Sequence, residues 1–508
     1  ETAAIGMHKI ASGATPSNPN DQARAQFWLG KALYKQGFYS ASLSVLDEIV
    51  AAGPGHPYHK LTLPWLASLS RELPEGAGVL EKIGTYDPQS LEDEAFDEVR
   101  DELYYLLGRF HYHKGDLGQG VALLSQVPQQ SDYYIPAQYF LGVAHTREFK
   151  GDAAVEAFKN VLRRAIELQE SADDKATRKK AKKDKRKAKK KKRKGKKKSK
   201  TSVELSFDQE MRQYEHLAAF GMANVFYMLG RFDTALKYLD AIPLDSYYWL
   251  DAMFWSAWHE FRKVEVDPEG ENQHYQRALG YVHTINAPFF DEYLYPETLK
   301  LKSVTYYFNC RYDSAKLAVD EFNRRYPPVK QSLQQMLSDA PEDFQLYELS
   351  QKIRNEDSGL DPFLEQVALI SLSDKQADNY FRYVEELERE QEMLETEMSG
   401  DFRSSSVGER VSEDLDAAMS LAKEAAGAIS RQRLTARIKE IKDLEREMIK
   451  VEYEILEKRK QQKQLEDNPP KPSKPKIDSE HEIYRYNGEY WQDELGYYRY
   501  KVTRLCKE

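Results

Sequence analysis

The sequence predicts an all-α protein: an α-solenoid of paired helices, then a coiled-coil helical hairpin, then a small β element at the C-terminus. Three observations predict it. Small residues recur 34 positions apart, from Gly108 to Gly142 and from Ala223 to Ala257. Beyond residue 374 apolar residues fall seven apart, as in Leu434, Ile441, Met448 and Ile455. The last residues alternate aromatics around Asn487-Gly488, a strong short hairpin signal.

Six units carry the repeat between about residues 20 and 328. The first has Trp28, Leu29, Gly30, Leu33 and Gly37. The second places Leu107-Gly108 one helical turn before His111, with a Gly115-Asp116 turn after it. The third repeats this with Leu141-Gly142, and its second helix carries Ala154 and Phe158, a small and then a large residue that let two helices approach and lock. The fourth has Ala223, Phe226, Gly230, Ala235 and Leu239, and the fifth follows in YWLDAMFWSAWHEF. The sixth has Tyr312, Ala315 and Phe322 and closes at Pro327. Residues 61–83 read as a further, poorly matching helix pair. Each pair has an apolar face that it cannot bury alone, so stacking makes one continuous core.

These units resemble tetratricopeptide repeats. The match is closest in the third, fourth and sixth; in the second, His111 and Gly120 depart from the pattern. The resemblance implies that the first helix of each pair lines a groove. It assigns to that groove Phe27, Lys31 and Tyr34; Tyr105, Arg109 and Tyr112; Tyr139 and Arg147; Phe220, Asn224 and Tyr227; Phe254, Trp258 and Arg262; and Lys300, Tyr307 and Phe308. The family's carboxylate clamp for peptide C-termini is not reproduced, Asn224 and Lys300 being isolated pieces of it. What is left is aromatic with scattered Arg, the composition of interface hot spots. The bland reading of any one ring is packing between repeats.

Residues 329–373 stay helical by pattern and lose the repeat, forming a connector. Over 374–467 the heptads predict the hairpin. Tyr380, Val384, Leu387, Leu394 and Met398 mark its short arm. Val411, Leu415, Ala418, Ala422, Ala425, Ile429, Leu434, Ile441, Leu444, Met448, Val451 and Ile455 mark its long one. At 1.5 Å per residue, about 45 Å of the long seam has no partner inside the hairpin, so it must lie on the solenoid or on another chain, a homodimer being one expectation. The acidic run 385–397 reads as the solvated face of this coiled coil. The Pro/Lys stretch 468–478 is a linker, and 479–508 an aromatic β-hairpin tail that must dock to be stable. The phrase EYWQDELGYYRYKVTRLC resembles the C-terminal tail of tetratricopeptide proteins of bacterial cell envelopes, including gliding-motility components. That implies a periplasmic or envelope location, with the cytoplasm as the alternative. A chain that opens ETAAIG without Met fits a processed secretion signal, and a sequence trimmed at its start would read the same.

Charge is segregated. Seventeen of the 22 residues of 179–200 are Lys or Arg, against the single acid Asp184. This +16 inside a chain of net charge −9 leaves −25 for the rest. The tract divides a first solenoid half (1–171) from a second (203–328), and 172–202 reads as a disordered insert with nothing to bury. Lys180, Lys183, Arg186, Lys190, Arg193 and Lys197 are its candidate polyanion contacts. Anionic lipid or envelope polymer is one ligand, nucleic acid another, a nuclear-import signal a third reading and a solvated loop the bland one. The tract holds no aromatic to stack on bases, which weighs against single-strand reading.

The sequence shows no reactive site: no phosphate-binding glycine loop, no HExxH, no CxxC and no GxSxG. Two cysteines, Cys310 and Cys506, exclude a disulfide-dense scaffold and a four-Cys zinc site without fixing the compartment. No cofactor and no metal is expected. Together these predict a non-enzymatic scaffold that binds other proteins of an assembly through groove and coiled coil. The rival is a nucleic-acid-associated adaptor built around the basic tract.

Overall fold

A computed structural model describes residues 1–187, 202–290, 293–463, 479–502 and 504–506, without the side chains of 170–187, 202–211 and 462–463. In chain order the helices are α1 (Thr2–Ala11), α2 (Pro19–Gln36), α3 (Tyr39–Ala51), α4 (His59–Glu72), α5 (Val79–Ile83), α6 (Arg100–Lys114), α7 (Leu117–Leu124), α8 (Tyr134–Arg147), α9 (Gly151–Lys187) and α10 (Ser202–Met228). They continue with α11 (Phe232–Asp240), α12 (Trp249–Lys263), α13 (Glu271–Ile285), α14 (Glu297–Phe308), α15 (Tyr312–Asp339), α16 (Asp343–Arg354), α17 (Pro362–Leu372), α18 (Lys375–Thr396), α19 (Gly400–Arg403) and α20 (Ser406–Lys463). The protein is all-α, and the described residues contain no strand.

Two compact units share these helices, and neither is contiguous in sequence. Unit 1 takes residues 1–110, 288–472 and 504–508; unit 2 takes 111–287 and 473–503. The described part of the basic tract, residues 179–187, therefore belongs to unit 2. Helix α9 runs on through Lys187 and so carries the backbone of Lys180, Lys183 and Arg186. Alanine and the long basic side chains are good helix formers. Lys190, Arg193 and Lys197 lie outside the described residues, as does the 468–478 linker.

In unit 2 the paired helices lock through a large residue set against a glycine. Phe158 of α9 is buried beside Ile135, Ala154, Val161, Ala218, Met222 and Val225. A Cβ on Gly142 of α8 would stand 2.6 Å from its ring, and one on Gly221 of α10 only 2.3 Å away. The same sixteen-residue offset recurs in unit 1, where a Cβ on Gly30 of α2 would meet Leu46 of α3 at 2.6 Å. The turn after each first helix also repeats. Gly37, Gly115 and Gly230 take φ of 89°, 83° and 70°, and Phe149 and Cys310 hold the corresponding place at 58° and 54°. A side chain there costs about 1 kcal/mol relative to glycine.

Unit 1 is organised around α20. Val407, Val411, Leu415, Met419, Ala422, Ala426 and Ile429 are buried along its first half, and α18 contributes Val384, Leu387 and Leu394. Met419 and Ala426, rather than Ala418 and Ala425, complete the seam. The second half, Leu434, Ile441, Met448 and Ile455, is buried against α14, α15, α16 and α17 of the same unit. The expected unpartnered seam is thus covered by the chain itself, which removes the ground for a dimer there. Helix α16 presses so closely that a Cβ on Gly427 would lie 1.8 Å from the Asp343 carbonyl oxygen, while Arg431 binds the Asp343 carboxylate at 2.7 Å.

Three expectations fail here for physical reasons. Pro327 does not end its helix: α15 continues to Asp339, its lost N–H bonds offset by burial of Tyr326, Val329, Leu333 and Met336. Glu390, read as solvated, is fully buried and accepts hydrogen bonds from the Ser40 and Ala41 amides at 2.6 and 3.4 Å, closing the start of α3. The tail forms no β-hairpin among its described residues. Gly488 turns with φ 104°, but the Tyr498 hydroxyl donates to the Trp491 carbonyl at 3.0 Å and accepts from its amide at 2.7 Å, where main-chain rungs were expected.

The tail instead lies on α13 of unit 2. The Tyr500 amide donates to the Gln276 carbonyl (2.9 Å) and the Gly496 amide to the Thr284 hydroxyl (3.1 Å). The His283 ring sits 4.6 Å from Tyr490, 4.8 Å from Tyr486 and 5.1 Å from Tyr498. Further on, in unit 1, Cys506 is bonded to Cys310 and the Leu505 amide donates to the Asn309 carbonyl at 2.9 Å.

A candidate partner-binding cleft

The first helices of three successive pairs, α8, α10 and α12, line a cleft of about 420 Å³ in unit 2. Phe158 forms its floor, brought there by the two glycines that admit its ring. Tyr139, Val143 and Arg147 come from α8, Phe220, Asn224 and Tyr227 from α10, and Trp255 and His259 from α12. Successive turns of each helix thus point into one space, the geometry that side chains three, four and seven apart produce.

The walls are aromatic and interlocked. Tyr139 edges onto Phe140 and Tyr214 at 5.6 and 5.5 Å, and burial pushes its phenol up to about 12. Tyr227 meets His259 at 4.7 Å and Phe232 at 5.5 Å. The His259 Nδ1 lies 2.5 Å from the Trp255 carbonyl oxygen, and burial holds the imidazole below its ordinary value, so the ring enters the cleft neutral. Trp255 is 43% exposed and offers an open indole face.

Polar groups stand over this floor. The Arg147 guanidinium lies 4.8 Å above the Tyr112 ring and has no carboxylate partner among the described residues. The Asn224 carboxamide is exposed and makes no hydrogen bond among the described residues. Apolar floor, aromatic wall and a few exposed polar groups suit a bulky side chain of a partner with polar atoms beside it. Nothing lining the cleft pairs a nucleophile with a base. Among the described residues no three His, Cys, Asp or Glu side chains gather as metal ligands.

The structure brings together only part of the expected groove. Tyr139, Arg147, Phe220, Asn224 and Tyr227 line the cleft, with Tyr112 buried beneath Arg147. On α12 the phase is one residue off: Trp255 and His259 line it, while Trp258 packs at 5.9 Å against Phe261 and Arg262 pairs with Glu265 at 2.9 Å. Phe254 is half-buried beside Trp255. Aromatics at 254, 255, 258 and 261 leave the sequence without a phase; only the buried Ser256, Ala257 and Glu260 reveal it.

The rest lie in unit 1. Phe27 is buried and stacks on Tyr58 at 5.0 Å; Tyr34 edges onto Tyr39 and Trp65. Tyr105 is buried under Arg109, whose guanidinium reaches Glu75 at 2.5 Å. Tyr307 is turned toward α20, where burial and Glu454 hold its phenol up, and Lys300 reaches Glu447 of the same helix at 2.7 Å. The chain's own long helix therefore occupies that position. A second cleft in unit 2, about 510 Å³, lies between α13 and the tail.

No family model and no curated protein matches the sequence. Among solved structures the chain is similar to a circular tandem repeat protein with novel repeat topology and enhanced subunit contact surfaces. Identity is 14%, the match covers 91% of this chain and 96% of that one, and the TM-score is 0.14, too low to carry any argument.

Proposed function

We propose that the protein is a non-enzymatic scaffold of the tetratricopeptide type that captures partner proteins in the aromatic cleft of unit 2. The observation that carries this is the cleft itself: three helices from successive pairs converge on an apolar floor, and over it stand Arg147, which packs on Tyr112 and has no carboxylate partner among the described residues, and Asn224, which makes no hydrogen bond among them. The aromatic and Arg composition is that of an interface centre.

The setting we propose is a bacterial envelope assembly. The tail's likeness to envelope proteins supports it, and so does the Cys310–Cys506 bond, which persists in oxidising compartments and is rare where glutathione keeps thiols reduced. The basic tract would add electrostatic attraction to anionic lipid or polymer, of about 1 kcal/mol per basic residue at such a surface.

A photo-crosslinking residue at Asn224 tests the capture. One discrete partner band is expected in source cells, lost in Arg147→Ala and in Trp255→Ala. A band that persists in both variants, or none at all, rejects the cleft as the capture site.

A further inference from the structure

A second constellation lies in unit 1, on α2 and α4. The Lys31 Nζ is 3.8 Å from the centroid of the Trp28 ring, 4.8 Å from Trp65 and 5.2 Å from Phe27. One turn on, the Lys35 Nζ stands 5.6 Å from Tyr34 and 5.9 Å from Trp65. Three rings thus hold one ammonium and two hold the next, while Trp28 remains 47% exposed beside them. Each such contact is worth about 0.5–1 kcal/mol at an exposed site.

The rings satisfy the ammonium groups only in part, because no carboxylate answers them among the described residues. Every acid between residues 19 and 72 is engaged elsewhere. Asp21 binds Arg24, Asp47 binds Lys82, Glu48 binds Gln26 and Arg410, and Glu72 takes the Tyr34 hydroxyl. Two like charges one turn apart repel each other. Burial, and then Lys35, hold the Lys31 ammonium below its ordinary value. An anion placed between them relieves that repulsion.

We propose that this face binds an extended acidic segment of a partner protein, with carboxylates on alternate residues and a bulky apolar side chain two positions before the first. The spacing selects that pattern. Trp28, Lys31 and Lys35 share one helix face, and their successive rises along the axis are about 4.5 and 6 Å. In an extended chain, residues two apart point the same way and lie about 6.6 Å apart. Alternate carboxylates therefore meet Lys31 and Lys35 while the apolar side chain lies on the Trp28 indole. Two ammonium groups are too few for a nucleic acid, whose sequence-independent grip rests on many phosphate contacts. The site uses none of the residues of the unit 2 cleft, so either can fail without the other.

The probe is a fluorescein-labelled, C-terminally amidated peptide, Gly-Leu-Ser-Glu-Ser-Glu-Gly, with a twin in which both Glu are Gln. Anisotropy is read with the full chain at about 150 mM salt, where long-range attraction to the basic tract is screened. Saturable binding of the Glu peptide is expected. It should weaken about tenfold for the Gln twin and for Lys31→Gln/Lys35→Gln, the sum of two modest ion pairs. Trp28→Ala weakens it too, and Lys31→Arg/Lys35→Arg retains it, which separates lost charge from lost fold. Equal affinity for the twin, or no saturable binding, overturns the proposal. Undiminished binding to the Gln variant assigns the peptide to the basic tract and overturns it as well.

Discussion

Gly142 and Phe158 meet sixteen positions apart, with the phenyl ring filling the space that a Cβ on the glycine would need, 2.6 Å away. Because the same ring floors the cleft, packing and site are coupled at this one contact. Gly142→Ala forces Phe158 out of its position and should destabilise unit 2 by about 1–3 kcal/mol, as overpacking a core does. Urea unfolding followed by circular dichroism measures this. The same substitution should also reduce crosslinking from Asn224, since the displaced ring enters the cleft. An unchanged midpoint would mean that the helices separate freely, against the close packing described.

Two carboxyls, the fully buried Glu390 and the half-buried Glu297, make unit 1 sensitive to pH. Burial raises Glu390 to about 7, and burial together with Glu440 raises Glu297 to about 7, both from 4.5. A folded-state value above the unfolded one means that folding favours the protonated acid. The associated stability is complete below pH 4.5 and is lost as pH rises through about 7. Glu297→Gln keeps the neutral form at every pH. Relative to wild type it should gain on the order of 2 kcal/mol by pH 8 and nothing at pH 4. A difference that does not vary over that range removes the pair from the account.

The sequence made the paired helices legible because their locks are local: Gly30 with Leu46, Gly142 with Phe158, each within one helix pair. The buried line Leu434, Ile441, Met448 and Ile455 was legible for the same reason, being written at a fixed period. What covers that line was not, since α14 to α17 are matched to it only in three dimensions. Glu390 escaped because one acid among seven in a run looks solvated until Ser40 and Ala41, some 350 positions away, present their amides. Five of the expected groove residues, Tyr139, Arg147, Phe220, Asn224 and Tyr227, do share a cleft. Trp255 and His259 were missed because a helix crowded with aromatics has no visible phase, and Tyr307 was misplaced because α20 supplies its neighbours.

The bond between Cys310 and Cys506 closes a loop of 196 positions. Cys310 also sits at φ 54°, where the corresponding positions at 37, 115 and 230 are glycine. Cys506→Ser should cost about 2–4 kcal/mol in unit 1. In that background, Cys310→Gly should restore about 1 kcal/mol by relieving the left-handed backbone. Denaturant unfolding of the single and double variants measures both steps. If the second substitution destabilises further, backbone strain at 310 is not the relevant quantity. Non-reducing peptide mapping of protein taken from source cells reads the bond directly: a bridged peptide fits an oxidising compartment, and two free thiols reject it.

Trp255 and Trp258 separate cleft from core within a single turn of α12. Trp255 lines the cleft beside His259 and is exposed, so Trp255→Ala should abolish partner crosslinking while shifting stability by less than about 1 kcal/mol. Trp258 is half-buried against Phe261, whose ring packs at 5.9 Å on the buried Tyr275 of α13. Trp258→Ala should therefore cost about 2–4 kcal/mol, near the range for emptying a large aromatic site, and leave capture intact under native conditions. Crosslinking yield and unfolding midpoint measured on both variants form the test. Loss of capture in Trp258→Ala with unchanged stability, and retention in Trp255→Ala, would restore the phase expected from the 34-residue repeat and move the binding face around the helix.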